Sequence, residues 1–286
     1  MVTTRRTLIA VVNDLHAGSP FAVCPAQWRF PTGTPFHPNE LQTAILAHWC
    51  DCWQKIRALR KGARLIVIVL GDVIEGLHHE TTQIETSRVD VQEAWAIAII
   101  EAGLELAKFN NRADRIYFVS GTPAHDGNGG QSLERVARAV LDLDANDSTR
   151  AAHDVLRLSV NGVRFDATHK PGSGPGARAH TLGNAFHGWL RSLYFTALED
   201  GQAPPRYVLT AHHHNYLRRD VHATRGHVAM TGYICPSWKV KDEHVYQIAP
   251  FALSSVGMLA FDVAADGAVQ EHVWLLPVVQ DAIEEL

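Results

Sequence analysis

The chain contains little cysteine and no long apolar run. Four cysteines occur among its 286 residues, and Cys50 and Cys52 form a single C-x-C pair without a second pair at zinc-ribbon spacing. A disulfide framework and a structural zinc site are therefore not expected, and the thiols fit a reducing compartment. No stretch approaches the ~20 apolar residues that a membrane span requires. We expect a cytoplasmic protein without a membrane partner.

The sequence also lacks a strong excess of charge of one sign. Its 26 Lys and Arg residues stand against 30 Asp and Glu residues, which gives a formal net charge of −4. A basic surface for long duplex DNA is not expected, whereas short or single-stranded nucleic acids remain compatible partners. Hydrophobic residues make up 46% of the chain, which is enough for a sizeable core.

The order of the apolar segments predicts an α/β fold. In the first half, short β-branched runs alternate with segments of helical periodicity, and the second half is mostly strands, two of which flank the hairpin signal Asn161-Gly162. We expect one domain over 1–286, with two packed mixed β-sheets flanked by helices. The predicted strands are 8–12, 65–70, 116–120, 155–160, 163–167, 207–210, 228–234, 258–263 and 270–276, and the predicted helices are 39–59, 91–108, 133–143 and 179–198, with a loop and short helix over 71–88.

Four polar clusters follow predicted strands, at the point where each strand ends. They are Asp14-Leu15-His16, Gly71-Asp72, His169 and His212-His213-His214. Open α/β sheets place their binding crevices at the carboxyl ends of strands, so these side chains can converge although about 200 residues separate the first from the last. Asp and His are natural ligands for divalent Mn, Fe and Zn. The pattern therefore predicts a metal site.

This ordered set of motifs resembles the calcineurin-like metallophosphoesterase superfamily. The resemblance runs from Leu8 to His214, about three quarters of the chain, and it implies a four-layer α/β/β/α sandwich that holds two metal ions. It also implies a role for each cluster. Asp14, His16 and His214 would bind the first ion, Asp72 would bridge both ions, His169 and His212 would bind the second, and His213 would be a spacer.

The third motif departs from the family's usual Gly-Asn-His-Asp/Glu. This chain has Gly121-Thr122-Pro123-Ala124-His125-Asp126, with Thr122 in place of the asparagine and two residues inserted before His125. The second ion could then bind weakly through Thr122, or His125 could ligate it directly. Alternatively, His125 could act as a general acid polarised by Asp126. This Gly-Thr-x-x-His variant also looks like a subgroup associated with bacteriophage genomes.

The second motif lacks the arginine that many family phosphatases use to hold a phosphate. No arginine follows Asp72 until Arg88, which shifts the expectation from phosphomonoesters to phosphodiesters. Lys170 and Arg178 lie on the Gly- and Pro-rich loop after His169 and are candidate substrate-binding residues. Arg191 and Lys239 are further cations that could reach the site.

The sequence as a whole predicts a dinuclear metal-dependent phosphoesterase. A metal-bridging hydroxide would attack phosphorus in line, with Mn²⁺ as the first choice of metal and Fe, Zn or Ni as others. The substrate would be a phosphodiester, including nucleotides or nucleic acids, with a phosphomonoester as the alternative. A non-catalytic scaffold that binds a protein partner is the contrasting hypothesis. The sequence makes no prediction of oligomeric state.

Overall fold

Two mixed β-sheets and four α-helices make up the described part of the computed structural model. It describes residues 5–77, 83–144, 148–176, 181–224, 226–242 and 254–277. The first sheet has the order β11-β10-β1-β2-β3-β4 and the second β5-β6-β7-β9-β8. The strands are β1 Thr7–Val12, β2 Arg64–Leu70, β3 Arg115–Val119, β4 Ala152–His153, β5 Leu156–Val160, β6 Val163–Ala167, β7 Tyr207–Thr210, β8 Leu217–Thr224, β9 His227–Ile234, β10 Val256–Val263 and β11 Val269–Leu276. The helices are α1 Glu40–Arg60, α2 Val89–Leu106, α3 Gln131–Val140 and α4 Asn184–Glu199.

The predicted α/β architecture of two packed mixed sheets with outer helices is confirmed. In the first sheet β1, β2 and β3 run parallel, while β10 pairs antiparallel with β1. In the second sheet β6, β7 and β9 run parallel, and β5 and β8 flank them antiparallel. The carboxyl ends of β1, β2 and β3 therefore share one edge of the first sheet, and those of β6 and β7 share one edge of the second.

Alternation along β1 shows how the layers form. Leu8 and Val12 pack into the core between the first sheet and helices α1, α2 and α3. Ile9 and Val11, whose side chains point to the other face, pack into the core between the two sheets. Every residue of β1 is buried, because both faces of the strand are covered.

Helix α4 covers the outer face of the second sheet. Phe186 and Leu190 are its two fully buried residues, and they pack with Val208 and Met230 of the sheet. Among the described residues, no helix is long and apolar enough to cross a membrane.

Several element boundaries differ from the sequence prediction. Helix α1 begins after Asn39, which agrees with the predicted start at 39; the Asn39 side chain accepts from the Gln42 amide in a capping box. The hairpin at Asn161-Gly162 is also confirmed, and both residues have positive φ, 51° and 82°. Helix α4 begins at Asn184 rather than at 179, and 177–180 lie outside the described residues. No helix occurs in the described parts of 71–88, and strands β4 and β8 were not predicted.

The long segment 17–38 is anchored on the core. The Phe36 ring lies 4.5 Å and the Trp28 ring 6.2 Å from the fully buried ring of Trp95 on α2. Its first part pairs with two distant segments, through isolated bridges between Ala17 and Ile74 and between Ala22 and Lys239. The segment thus joins the loop after β2 to the chain that follows β9.

Candidate metal centre

The candidate metal centre lies where three parallel strands of the first sheet and two parallel strands of the second sheet end. Asp14 follows β1, Asp72 follows β2, and the loop that begins at Gly121 follows β3. From the second sheet, His169 follows β6 and the His212–His214 cluster follows β7. The six residues predicted as metal ligands fall into two groups of three, each with its candidate ligand atoms within 4.8 Å of one another.

The first group consists of Asp14, His16 and His214. His16 Nδ1 lies 2.9 Å from Glu75 Oε2. Burial raises the pKa of Glu75 to about 7, and when its carboxyl is ionised it only accepts, so Nδ1 of His16 carries the hydrogen. The lone pair of the neutral ring is then on Nε2, which lies 3.1 Å from Nε2 of His214. Asp14 Oδ1 is 3.5 Å from the same His214 nitrogen. Two facing nitrogens and a carboxylate oxygen form a donor set for a cation.

The second group consists of Asp72, His169 and His212. His169 Nδ1 donates to the Leu70 carbonyl over 2.7 Å, which leaves Nε2 as the nitrogen able to bind a metal. That nitrogen is 3.1 Å from Asp72 Oδ2 and 3.9 Å from Asp14 Oδ1, so His169 adjoins both groups. The backbone also joins them, since the His212 amide donates to Asp14 Oδ2 over 3.3 Å.

Two buried atoms at the centre, Asp14 Oδ1 and His169 Nε2, form no hydrogen bond of good geometry with the described residues, although the His169 nitrogen lies 3.1 Å from Asp72 Oδ2. Buried polar atoms in this state are costly unless something binds them. Burial disfavours the charged imidazole of His169, but the carboxylates of Asp72 and Asp14 outweigh it and raise its pKa to about 10. Burial likewise opposes ionisation of Asp72, yet His169 and His125 hold the pKa of its carboxyl below the usual range. The centre therefore favours positive charge, and its residues fit divalent cations.

Five of the six residues have left-handed backbone conformations. Their φ angles are 49° at Asp14, 45° at His16, 50° at Asp72, 74° at His212 and 51° at His214. Positive φ is uncommon outside glycine, although Asp and His tolerate it better than most side chains. Such conformations cluster at functional sites, where the surrounding structure imposes them.

Close packing of backbone brings the second and third motifs together. A Cβ on Gly71 would lie 2.5 Å from the Gly121 Cα and 2.7 Å from His169 Nδ1, and a Cβ on Gly121 would overlap the amide and carboxylate of Asp72. Thr122 then donates to Asp72 Oδ1 twice, from its amide over 2.6 Å and from its hydroxyl over 2.9 Å. Thr122 thus holds the carboxylate that was predicted to bridge the two ions.

The partner of His125 differs from the one expected. Its Nδ1 donates to the Glu75 carbonyl over 2.7 Å, while the Asp126 carboxylate accepts from the amides of Gly121 and Val73. Burial and the nearby Asp72 carboxylate raise the pKa of Asp126 to about 7. Asp126 therefore shapes the loop, and its carboxylate bonds to backbone amides rather than to the His125 ring that it was expected to polarise.

His125 lies on the side of the first group. Its ring centroid is 4.1 Å from that of His16, and it forms a further group of candidate ligand atoms with His16 and Glu75. It is not part of the group around Asp72 and His169, to which direct ligation of the second ion would assign it.

Glu75 and Lys239 are residues of the centre that sequence reasoning did not identify in these roles. Glu75 contacts His16 through its carboxylate and His125 through its carbonyl. Lys239, considered above as a phosphate-binding cation, is buried and bonded to the Glu75 carboxylate. The only sequence signal for Glu75 is an acidic residue three positions after Asp72.

Of the two candidate substrate-binding residues, the structure describes one. Lys170 is exposed directly after His169, and Arg178 lies outside the described residues. The loop that carries Lys170 is packed closely, since a Cβ on Gly174 would lie 3.0 Å from the His213 ring. His213 lies outside both ligand groups, and burial lowers its pKa to about 4. Arg88 pairs with Asp90 at the start of α2.

Comparisons with known proteins identify solved structures of low sequence identity. No protein-family model and no curated protein matches the chain. Among solved structures, Vps29 from Entamoeba histolytica in complex with Zn²⁺ is similar at 11% identity, covering 94% of this chain and 98% of that one with a TM-score of 0.36. An archaeal phosphodiesterase is similar at 11% identity, 93% and 99% coverage and a TM-score of 0.39. A protein from Streptococcus pneumoniae, described as a "predicted phosphoesterase", is similar at 12% identity, 94% and 98% coverage and a TM-score of 0.32. The solved structures similar to this chain thus include Vps29 and phosphoesterase-family proteins, at scores too low to carry an argument about activity.

Proposed function

We propose that this protein is a phosphoesterase that depends on two divalent metal ions and hydrolyses phosphodiester bonds. The observation that carries the proposal is the convergence of two ligand groups at the strand ends, Asp14 with His16 and His214, and Asp72 with His169 and His212. Mixed oxygen and nitrogen donors are compatible with Mn²⁺, which is our first choice of metal, and with Fe, Zn and Ni. Bound ions of this kind supply a nucleophile at neutral pH and neutralise charge on the phosphoryl oxygens.

The chain's own residues supply orientation and proton transfer. Thr122 fixes one oxygen of Asp72, and the Leu70 carbonyl fixes the tautomer of His169. His125 donates from Nδ1 to the Glu75 carbonyl, so in the imidazolium form its Nε2 is the nitrogen that would deliver a proton to the leaving oxygen, and the ring would then be neutral. We therefore assign His125 the role of general acid rather than that of second-metal ligand.

The charge distribution around the centre favours a phosphodiester over a phosphomonoester. Within the described part of the chain, the ion pairs of Asp14 and Asp72 involve histidines alone. Arg88, the first arginine after Asp72, is engaged by Asp90. A bidentate arginine is the usual device for holding a terminal phosphate dianion, and a diester carries one charge fewer. Nucleotides and short single-stranded nucleic acids are the natural substrates to try.

The proposal is tested by hydrolysis of bis(p-nitrophenyl) phosphate by the Mn²⁺-loaded protein, with p-nitrophenyl phosphate as the monoester. We expect turnover of the diester to exceed that of the monoester. Asp72→Asn should lower it by more than about a hundredfold, beyond what the loss of an outer partner of a metal ligand costs. Asp51→Asn is the matched control, because Asp51 is half exposed on α1 and pairs with Lys55.

Two other results would redirect the proposal. A wild-type protein that hydrolyses neither ester with Mn, Fe, Zn or Ni would contradict an enzymatic role. If that inactive protein also bound no metal, the scaffold hypothesis would gain. If the protein preferred the monoester, the proposed metal-dependent hydrolysis would stand and the assignment of phosphodiesters as its substrates would be wrong.

A further inference from the structure

A buried lysine lies behind the first ligand group. Lys239 is 3% exposed, and its Nζ lies 2.9 Å and 3.0 Å from the two oxygens of Glu75. Asp242 Oδ2 lies 2.6 Å from the same nitrogen. A lysine at this depth is tolerated because carboxylates surround it, since an unpaired buried charge is strongly destabilising.

The backbone holds this lysine in place from both sides. The amide of Val23 donates to the Trp238 carbonyl over 2.9 Å, and the amide of Val240 donates to the Phe21 carbonyl over 3.0 Å. Residues on either side of Lys239 are thus fixed by the start of segment 17–38, which is itself anchored on the core. The Lys239 ammonium has a defined position from which to orient its partner.

Glu75 connects this lysine to two functional rings. Its Oε2 lies 2.9 Å from His16 Nδ1, and its carbonyl accepts from His125 Nδ1 over 2.7 Å. The two rings touch each other with their centroids 4.1 Å apart. One residue therefore sets the orientation of a ligand of the first ion and of the candidate general acid.

We propose that Lys239 and Glu75 form a positioning pair that fixes the His16 ring for the first metal ion and aligns His125 beside it. The inference rests on the proposed function, because it requires that His16 binds a metal. A carboxylate behind a ligating histidine fixes its tautomer and raises its basicity, and losing such a partner typically lowers metal affinity about 10–100-fold. Lys239 extends this arrangement by one further residue, which holds the carboxylate itself.

A role of Lys239 in gripping substrate phosphate does not fit the structure. The side chain is buried, and both of its described partners are carboxylates that would repel a phosphate. Because Lys239 is buried behind Glu75, it fits a role in positioning the Glu75 carboxylate instead. The alternative is that Lys239 only stabilises the fold, and the experiment must distinguish that role from positioning.

The test measures Mn²⁺ affinity and stoichiometry directly, by equilibrium dialysis and electron paramagnetic resonance. We expect wild type to bind two ions, and Lys239→Met and Glu75→Gln to bind one of them about 10–100-fold more weakly. Lys239→Arg should recover part of the affinity, because it keeps the charge and the donors. The visible absorption spectrum of the Co²⁺-loaded protein should shift in Lys239→Met, as the geometry at His16 changes. Lys55→Met is the matched control, since it removes a lysine from an exposed ion pair.

Each outcome decides for or against the pair. Two ions bound with unchanged affinity and an unchanged Co²⁺ spectrum in Lys239→Met would overturn the inference and leave the proposed function intact. A wild-type protein that binds no metal would overturn both. If Lys239→Met does not fold, Glu75→Gln decides in its place: weaker binding of one ion supports the pair, and wild-type affinity refutes it.

Discussion

Metal binding should displace a proton from His169. In the metal-free protein its pKa is raised to about 10, because the Asp72 and Asp14 carboxylates outweigh the effect of burial. At pH 7 the ring then carries a proton that an incoming ion must remove, because histidine ligates a metal in its neutral form. Asp14 and Asp72 have lowered pKa values, as does His212, so none of them holds a proton to release at this pH.

The expected contribution of His169 is about one proton per chain. The His169 pKa of about 10 lies about three units above pH 7, so protonation is essentially complete. Each unit is about 1.4 kcal/mol, and the proton therefore opposes binding of the second ion by about 4 kcal/mol at pH 7. The apparent affinity for that ion should rise about tenfold for each unit of pH from 7 towards 10, and level off above.

Two measurements check this prediction. Calorimetric titration with Mn²⁺ in two buffers of different ionisation enthalpy gives the number of protons released on binding. Nitrogen NMR of the metal-free protein gives the protonation state of the His169 ring, with His169→Gln used to assign its signals. A ring that titrates near 6.5, the ordinary histidine value, together with no buffer dependence of the binding enthalpy, would refute the reasoning.

Three other perturbations have defined outcomes. Trp95→Ala should lower the free energy of unfolding in urea by about 3–5 kcal/mol, because this buried ring anchors Phe36; an unchanged midpoint would contradict that anchoring. Gly121→Ala should cost about 1–3 kcal/mol and reduce the bound Mn²⁺ measured by mass spectrometry, since a Cβ there overlaps Asp72; full metal content would argue against this packing. The melting temperature of the metal-free protein should fall as the pH drops below about 4, because Asp14 and Asp72, whose pKa values are lowered, stabilise the fold only while both are ionised. A constant melting temperature down to about pH 2 would exclude that contribution.

The convergence of the ligand groups followed from local sequence signals. Asp14 and Asp72 each come two residues after a short buried strand, and β1 and β2 are neighbours that run parallel. Parallel neighbours end at the same edge, so the two carboxylates had to lie near each other. The same reasoning applies to His169 and His212, which follow the parallel strands β6 and β7.

The features that the sequence did not predict depend on long-range contacts, which leave little signal in the sequence. Strand β8 reads as a polar, arginine-bearing stretch, and it is a strand because it pairs with β9 over its length. Glu75 and Lys239 are 164 residues apart, and segment 17–38 sets where Lys239 lies. His125 bonds to a backbone carbonyl, which any residue could supply, so the sequence contains no signal for this partner. The neighbouring acidic residue, Asp126, was therefore predicted as the partner instead.

The left-handed backbone at the candidate metal centre affects how this chain would change under selection. Non-glycine residues held at positive φ each store a free energy on the order of 1 kcal/mol or more, and five of the six proposed ligands are in this state. Glycine would relax that strain wherever the side chain is not needed. A library screened for heat resistance alone should therefore lose proposed ligands early, with His214 replaced before any core residue. At these positions, selection for thermal stability and selection for metal binding favour different residues. Only a screen that also requires metal binding would retain the ligands.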